Sequence, residues 1–299
     1  MTEAVIRNRE RQAEYDVHWP WLDGPLRPGL TAVLRVRDEA RNLPWVLPPL
    51  FSCVDEVVLV DNLSTDGTAD VARGIAASLG VEDRLDVASY PFDVSRCGPE
   101  HLATPADSVH SLTHFYNWSF ARVRTAYSMK WDGDMVLTPD GVALLQQVAW
   151  QIEGEETLVG FRHYPLYVES EQVAWFDDKL RNMEPWIYPM GPEYTYVKGF
   201  DWEIRSFPEG VRRLTMPGGI CFELKWLDSD EFAHWTSPEA FDPVRSPRKV
   251  REFEVFTRLR DGRADGLDGL TRIETPAGTH VIDHVGRTWL PRMWRPPVD

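Results

Sequence analysis

The stretch SMKWDGDMVL, residues 128 to 137, places two carboxylates, Asp132 and Asp134, near the end of an apolar run. If the run is a β-strand, its side chains alternate between the two faces, so both carboxylates point the same way. Gly133 between them lets a ligand approach the backbone closely. Paired carboxylate oxygens at a strand end suit Mg²⁺ or Mn²⁺. The alternative is a surface turn with two solvated acids, which the motif alone favours because Asp-x-Asp is common.

The residues before this stretch alternate between predicted strands and helices. Apolar, β-branched runs predict strands over 30–37, 55–61 and 84–90, and helical patterns cover about 42–51 and 69–79. This spacing is typical of parallel βαβ units, so the sequence predicts an α/β fold. In such sheets ligands bind at the carboxyl ends of the strands. Arg35, Asp61 and Asp132 all lie at or near such ends, which favours a binding site over a solvated turn.

The chain after residue 90 divides into a loop, further α/β elements and an aromatic region. We expect an irregular segment over 91–109, helices over 111–127 and 139–151, a charged helical stretch at the end of 243–259, and strands over 157–168, 221–227 and 279–282. Aromatic residues crowd 173–210. We interpret the 299 residues as one domain with an N-terminal arm (1–29), an α/β half (30–155) and an aromatic half with a C-terminal tail (156–299). The arm carries Trp19-Pro20-Trp21 and is expected to pack on the body.

Composition excludes several classes of partner and compartment. The formal net charge of −15 argues against nucleic acid and against anionic lipid. Three widely spaced cysteines, Cys53, Cys97 and Cys221, indicate neither a disulfide framework nor a zinc site. The N-terminal residues lack an apolar signal core, and no stretch approaches the length of a membrane span. We therefore expect a soluble, cytoplasmic protein.

Three motifs together resemble the family 2 glycosyltransferases of the GT-A fold. The stretch VLVDNLSTDGT, residues 58–68, is similar to that family's VDD-x-S-x-DGT motif, and LRVRDEARNL, residues 34–43, is similar to its first strand and turn. Asn117 precedes Trp131–Asp134 as an Asn commonly precedes the family's Asp-x-Asp motif. The resemblance covers about residues 30–150 and ends near residue 155. It implies a Rossmann-like, mostly parallel central sheet flanked by helices, with an aromatic-rich C-terminal acceptor subregion.

The resemblance also implies roles for individual residues. Arg35, Asp61 and Asn62 match positions that hold the nucleoside, although Asn62 stands where a second Asp is usual. Asp132 and Asp134 match the carboxylates that bind the divalent metal, Mn²⁺ or Mg²⁺, and through it the nucleotide diphosphate. An arginine within an apolar run needs a partner, and for Arg35 either a ligand or Asp61 meets that need.

The acceptor half offers only candidates for the remaining roles. The family often takes a third metal ligand from there, commonly a histidine, so His284 and His280 are candidates, with Glu223 as a rival. A lone histidine is more often a surface or satisfied core residue. An inverting transferase needs a general base, which the family places after its aromatic acceptor region.

Four acidic residues are candidates for that base. Asp228, Asp230 and Glu231 follow a predicted strand directly, and Glu203 lies further upstream; a solvated acidic turn is the alternative. The nearby aromatic residues suit stacking on a sugar ring or, more commonly, form core.

The leading interpretation is a metal-dependent glycosyltransferase. It would move a sugar from a nucleotide-diphosphate donor, UDP-sugar favoured and GDP-sugar possible, to the hydroxyl of an unknown carbohydrate or other acceptor. The rival is a GT-A-like nucleotide-binding module without transfer activity, which Asn62 and the absence of a clear base motivate. A nucleotidyltransferase is a weaker alternative, because residues 30–45 contain no glycine for a phosphate loop.

Overall fold

The computed structural model describes residues 5–152, 154–180, 182–230, 232 and 241–290. The strands in this part of the chain are β1 (Val5–Ile6), β2 (Val17–His18), β3 (Arg27–Val36), β4 (Glu56–Asp61), β5 (Leu85–Ser89), β6 (Thr125–Asp132), β7 (Met135–Leu137), β8 (Thr157–His163), β9 (Pro165–Val168), β10 (Val173–Asp177), β11 (Asn182–Pro189), β12 (Tyr196–Lys198), β13 (Glu203–Arg205), β14 (Arg212–Thr215), β15 (Cys221–Trp226) and β16 (Leu270–Glu274). Its α-helices are α1 (Leu43–Phe51), α2 (Thr68–Leu79), α3 (Pro99–Ala103), α4 (Leu112–Phe120), α5 (Pro139–Gln151), α6 (Pro247–Arg260) and α7 (Val281–His284).

A seven-stranded sheet of order β14-β8-β11-β6-β3-β4-β5 forms the centre of the fold. Strands β6, β3, β4 and β5 are mutually parallel, whereas β11 runs antiparallel to β6 and to β8. The α/β class and the mostly parallel central sheet are therefore confirmed. A second, five-stranded sheet of order β16-β10-β9-β15-β7 joins the two halves of the chain, because β7 from the first half pairs with β15 from the second.

Helices cover both faces of the central sheet. Leu34 and Val36 of β3 pack in the core cluster that includes α1 and α2, and Val33 packs in the cluster that includes α4. All three side chains are fully buried. A parallel strand that is buried on both faces requires a near-continuous apolar sequence, which β3 has.

The N-terminal arm packs against α4. Val17 and Trp19 are buried within the α4 cluster. The Trp118 indole N–H donates to the Glu14 carbonyl at 3.3 Å, and a ring nitrogen of His114 lies 2.8 Å from the Tyr15 carbonyl.

Among the described residues, no helix is long and apolar enough to cross a membrane.

Four predicted elements differ from the structure. The segment 91–109, expected to be irregular, contains the short helix α3 (Pro99–Ala103). The helix predicted over 111–127 ends at Phe120, because Thr125 already belongs to β6, where its hydroxyl lies 2.7 Å from that of Thr31. The strand predicted over 157–168 is divided into β8 and β9 at residue 164. The strand predicted over 279–282 is wrong: His280 is the N-cap of α7, and its side chain accepts a hydrogen bond from the Ile282 N–H.

A close backbone approach fixes α5 to the second sheet. Thr138 caps α5 by accepting the Gly141 N–H at 2.9 Å, and its hydroxyl donates to the Gly219 carbonyl at 2.8 Å. A Cβ atom on Gly141 would stand 2.2 Å from the Ile220 carbonyl oxygen, so only glycine fits there. This contact holds α5 beside β15, which carries part of the site described below.

Two glycine substitutions test this constraint. Gly141→Ala is expected to destabilise the protein by about 2–3 kcal/mol through overpacking against backbone. Gly74→Ala lies within α2, where a Cβ meets nothing within 4 Å, and is expected to stabilise by about 0.5–1 kcal/mol. Urea denaturation of both variants checks the pair. Equal effects at the two positions would contradict the close approach at Gly141.

Candidate functional site

The register between β3 and β6 places Arg35 directly opposite Asp132. One guanidinium nitrogen, Nη2, lies 3.1 Å from Asp132 Oδ1. The Arg35 side chain is 3% exposed and the Asp132 side chain 36% exposed, so the pair joins the sheet to an open space. The guanidinium also lies 3.8 Å from the centre of the Tyr116 ring on α4. The partner of Arg35 inside the protein is thus Asp132 and not Asp61.

Burial alone lowers the pKa of Arg35, but Tyr116 and Asp132 outweigh it, so the pKa is raised and the group stays charged. Its other terminal nitrogen, Nη1, is buried and makes no hydrogen bond to any described residue. A buried donor without an acceptor costs free energy. Arg35 therefore has one nitrogen committed to Asp132 and one available to a further acceptor.

The two carboxylates of the Asp-x-Asp motif are presented by different structures. Strand β6 ends at Asp132, and Gly133 and Asp134 form a turn before β7, so the expected alternation along one strand is wrong. A Cβ atom on Gly133 would stand 2.7 Å from the Glu39 side chain and 2.9 Å from that of Val36. Glycine is therefore required for this turn, which brings Asp134 to the same cavity as Asp132.

Asp134 is held by a buried lysine from the C-terminal half of the chain. Lys225 Nζ on β15 lies 2.9 Å from Asp134 Oδ2 and 2.6 Å from Glu223 Oε1. Glu223 Oε2 lies 3.5 Å from His163 Nε2 on β8. All four side chains are at most 12% exposed. The charges are therefore held close together with little water between them.

Burial raises the pKa of Asp134 to about 7, and the nearby carboxylates Glu223 and Asp132 add to this, while Lys225 acts in the opposite direction. Burial also acts to raise the pKa of Glu223, but Lys225 and His163 outweigh it, so that pKa is lowered. Lys225 Nζ is closer to Glu223, at 2.6 Å, than to Asp134, at 2.9 Å. Asp134 is the carboxylate of this pair that an added cation would stabilise more.

Asp132 and Asp134 line a cavity of about 340 Å³ at the carboxyl ends of β3 and β6. Its basic side chains are Arg35, Lys130, Arg205, Lys225, Arg248 and Lys249, and its acidic side chains are Glu39, Asp132, Asp134, Glu184, Glu203, Glu223 and Glu252. Among the described residues, six basic groups face seven acidic ones, so this lining is close to neutral when all are charged. As a whole it supplies no net positive charge for a diphosphate.

Hydrogen bonds tie together the loops that follow β3 and β4. The Ala40 N–H donates to Asp66 Oδ2 at 2.9 Å, and the Thr65 N–H donates to Asp38 Oδ1 at 2.6 Å. Asp61, at the end of β4, accepts the Ser64 N–H at 3.1 Å and is partly exposed. Neither Asp61 nor Asn62 is among the residues that line the cavity.

Asn62 has a structural role. Its side-chain amide donates to the carbonyls of Tyr90 and Phe92 at 2.9 and 2.8 Å, and the residue is 1% exposed. Both amide hydrogens are used to hold the loop after β5, and the side chain is buried. The prediction that Asn62 contacts the nucleoside is therefore replaced by this structural role. Asp61 remains a predicted nucleotide contact.

Two of the three clustered candidates for the general base, Asp228 and Asp230, lie away from the cavity. Asp228 is exposed and pairs with Arg41 at 2.7 Å. Asp230 is exposed as well, and neither residue lines the cavity. Glu231 lies outside the described residues. Strand β15 ends at Trp226, and the chain then turns to the surface, which explains why Asp228 and Asp230 do not reach the site.

Glu203, in contrast, lines the cavity from β13. Burial raises its pKa, although Lys130 and Arg35 act against the shift, and the Tyr116 hydroxyl hydrogen-bonds to it. A carboxylate with a raised pKa beside a cavity can accept a proton at neutral pH. Glu203 is thus the candidate base that the fold brings to the site.

The tail histidines His280 and His284, predicted as third metal ligands, do not lie at the cavity. His280 packs against Trp45 with ring centres 4.7 Å apart, and His284 ends α7; neither lines the cavity. Among the described residues, no three His, Cys, Asp or Glu side chains are arranged to hold a metal. Within this part of the chain, Asp132 and Asp134 therefore stand as a pair, without a third ligand.

Sequence reasoning missed several residues of the cavity. Lys130 lies two positions before Asp132, so strand alternation alone places both on one face, and this signal was available. Its amine lies 3.8 Å from Glu184 on β11. Lys225 reaches the cavity through the pairing of β15 with β7 and β9, and Arg205 through the contact of the β12–β13 hairpin with α4; no local pattern indicates either.

Comparison with known proteins gives distant matches. No family model and no curated protein matches the chain. Staphylococcus aureus TarS (residues 1–349, in complex with UDP) matches with a TM-score of 0.39 and 13% identity, covering 80% of this chain and 67% of that one. Glucosyl-3-phosphoglycerate synthase from Mycobacterium tuberculosis, in complex with Mn²⁺, UDP-glucose and phosphoglyceric acid, matches with 0.28 and 20%, covering 46% and 44%. The chain thus spans less than half of that synthase. Scores this low carry no conclusion about activity.

Removal of Lys225 tests the buried charge network. Lys225→Met leaves Asp134 and Glu223 without their shared cation, and we expect a loss of about 3–5 kcal/mol in the free energy of unfolding. Lys179→Met is the control, because its pair with Asp268 is 51% and 91% exposed; the expected change there is about 0–1 kcal/mol.

The loss should depend on pH. The pKa of Asp134 in the folded protein is about 7, above its ordinary value of 3.8. Between these two pH values, ionisation of Asp134 lowers the stability of the folded protein as pH rises. Lys225→Met is therefore expected to be more destabilising at pH 8 than at pH 5. Urea denaturation at the two pH values checks this. A loss that is greater at pH 5 would contradict the assigned charges.

Proposed function

We propose that this protein is a GT-A-type glycosyltransferase that moves a sugar from a nucleotide-diphosphate donor, a UDP-sugar in preference to a GDP-sugar, to an acceptor hydroxyl. The observation that carries the proposal is the position of Asp132 and Asp134 on one cavity at the carboxyl ends of parallel strands. Ligands of such sheets bind at this edge. The three sequence motifs that resemble family 2 support the same conclusion.

The residues present fit a divalent cation, Mn²⁺ or Mg²⁺. The hydrogen bonds of Asp132 and Asp134 to basic groups each use one carboxylate oxygen. Mg²⁺ is commonly bound by one or two carboxylates together with substrate phosphates and water, so a third protein ligand is not required. The near-neutral lining also needs an added cation before it attracts a diphosphate. When bound, the cation would stabilise the negative charge that develops on the leaving diphosphate.

The chain's own residues would bind and orient the substrates. Arg35 has Nη1 available to a phosphate or nucleoside oxygen. Lys130 lies on the same strand as Asp132, and Tyr116 closes the cavity from α4. Glu203 would remove the proton from the acceptor hydroxyl if the reaction inverts the anomeric centre.

One observation favours a second candidate function, a nucleotide-binding module without transfer activity. Lys225 Nζ lies 2.9 Å from Asp134, where an ammonium group competes with a metal for the carboxylate. If Lys225 stays on Asp134 when the nucleotide binds, the protein uses a lysine in place of the metal. Dependence of donor binding and donor hydrolysis on metal separates the two candidates.

The three cysteines support a cytoplasmic location as part of the proposal. Cys53, Cys97 and Cys221 are all free thiols, and burial raises the pKa of Cys53 and Cys97 to about 12. Free thiols are normal in a reducing compartment.

UDP binding measured by calorimetry with and without Mn²⁺ tests the metal assignment. We expect Asp132→Asn and Asp134→Asn each to abolish the Mn²⁺-dependent part of the affinity, because each removes a carboxylate ligand. Asp140→Asn, an exposed residue at the start of α5, is the matched control and should leave the affinity unchanged. Equally tight UDP binding by the wild type with and without Mn²⁺ would overturn the metal site.

Slow hydrolysis of nucleotide sugars tests the enzyme class. Incubation of the protein with a panel of UDP- and GDP-sugars and Mn²⁺ should release free sugar from at least one donor, and Asp134→Asn should abolish that release. Failure of every donor, with UDP still bound, would support the inactive module.

A further variant tests the candidate base. Glu203→Gln is expected to lower kcat by about 10²–10⁴-fold while UDP affinity stays unchanged, since the residue acts on the acceptor and not on the nucleotide. Asp228→Asn should leave kcat unchanged, because Asp228 pairs with Arg41 at the surface. A large loss of kcat in the second variant alone would return the base to the predicted acidic cluster.

A further inference from the structure

Arg205 on β13 lines the cavity and has no acidic partner among the described residues. It is 5% exposed. Its Nε donates to the Tyr194 carbonyl at 2.9 Å, and its Nη2 donates to the Ser128 hydroxyl at 2.8 Å and lies 3.5 Å from the Met190 sulfur. A side-chain hydrogen bond with Tyr196 also favours the charged form of Arg205. All of these partners are neutral. A buried guanidinium is ordinarily paired with a carboxylate or another anion.

Aromatic rings surround the Arg205 guanidinium without neutralising it. The ring centres of Tyr188, Phe120 and Tyr196 lie 4.4, 4.7 and 5.4 Å from its central carbon. Such contacts stabilise a cation, but unlike a carboxylate they carry no net negative charge. The rings also fix the guanidinium in place, so its position is set before any ligand binds.

The remaining nitrogen of Arg205, Nη1, is buried and makes no hydrogen bond within the described part of the chain. Arg35, another cation with a buried Nη1 that makes no hydrogen bond there, lies close enough to act on it. Burial lowers the pKa of Arg205, Tyr196 and Tyr188 oppose that shift, and Arg35 adds to the lowering. Two buried guanidinium groups therefore share this side of the cavity, and only Arg35 has a carboxylate on it.

We propose that Arg205 is the centre of an oxyanion subsite that binds a carboxylate or phosphate group carried by the sugar being transferred or by the acceptor. This inference rests on the proposed function. It concerns an anion other than the diphosphate, because the diphosphate would be bound by the cation of Asp132 and Asp134. A guanidinium is suited to this task, because its fixed, planar set of N–H donors matches carboxylate and phosphate oxygens. The bound oxyanion would supply the acceptor that Nη1 lacks.

Calorimetry with Mn²⁺ present tests the donor as the source of the oxyanion. UDP-glucuronate and UDP-glucose differ only in a carboxylate in place of a hydroxymethyl group. The wild type is expected to bind UDP-glucuronate about tenfold or more tightly, the value of a hydrogen bond to a charged group. In Arg205→Met the ratio of the two affinities should fall to about one, and in Arg205→Lys it should fall less.

A second arm tests the acceptor as the source. Glycerol 3-phosphate and glycerol are titrated into the protein saturated with UDP and Mn²⁺, and the same ratio is taken. Arg213→Met is the matched control in both arms, because Arg213 also packs on an aromatic ring, Phe207 at 5.0 Å, but lies outside the cavity. Its ratios should equal those of the wild type.

The ratio is taken within each variant, so a general loss of packing at Arg205 cancels. If Arg205→Met does not fold, Arg205→Lys keeps the charge and carries the test. Wild-type ratios of about one in both arms, or a ratio that Arg205→Met and Arg205→Lys leave unchanged, would overturn the subsite and leave the proposed function intact. Failure of UDP itself to bind would overturn the proposed function and this inference with it.

Discussion

The parallel pairing of β3 with β6 is the constraint on which the site depends. It places Arg35 opposite Asp132, so that a buried cation and a partly exposed carboxylate meet at the edge of the sheet. A slip of one residue would turn Asp132 to the other face and bury it among apolar side chains. The apolar positions on both faces of β3 oppose such a slip, because each face is packed against its own layer of helices. The hydrophobic core thus sets the geometry of a polar site.

The second half of the chain completes the site through β15. Its pairing with β7 and β9 brings Lys225 to Asp134 and links the Asp-x-Asp turn to Glu223 and His163. Lys225 supplies positive charge next to Asp134. If a divalent cation binds at Asp134 as proposed, it would take over this role, and Lys225 would keep Glu223, its closer partner. One cation would then replace another, and no buried carboxylate would be left uncompensated.

The α/β half of the chain, residues 30–155, was predictable from the sequence, and most of the aromatic half, residues 156–299, was not. Runs of branched apolar residues ending in Arg35, Asp61 and Asp132 identify three strand ends, and helices between neighbouring strands force those ends to one edge of the sheet. The sequence predicts that another group comes close to the backbone at Gly133. In the structure these groups are the side chains of Glu39 and Val36 and not a ligand. Lys225 enters the cavity through the long-range pairing of β15 with β7 and β9. Glu203 and Arg205 lie on the hairpin of β12 and β13, which hydrogen bonds between Asn117 and Tyr196 join to α4. Local periodicity encodes neither contact. The strand predicted over 279–282 was wrong because α7 is too short for its sequence to show a helical period. The positions of His280 and His284 could therefore not be predicted.

The central claim is that Asp132 and Asp134 together hold a divalent cation and, through it, a nucleotide diphosphate. The most direct test is a crystal structure with Mn²⁺ and UDP, with the metal located by anomalous scattering. We predict a manganese peak in contact with both carboxylates and with the diphosphate oxygens, and a Lys225 side chain that has moved from Asp134 towards Glu223. UDP bound in the cavity with Lys225 still on Asp134, and with no manganese peak there, would contradict it.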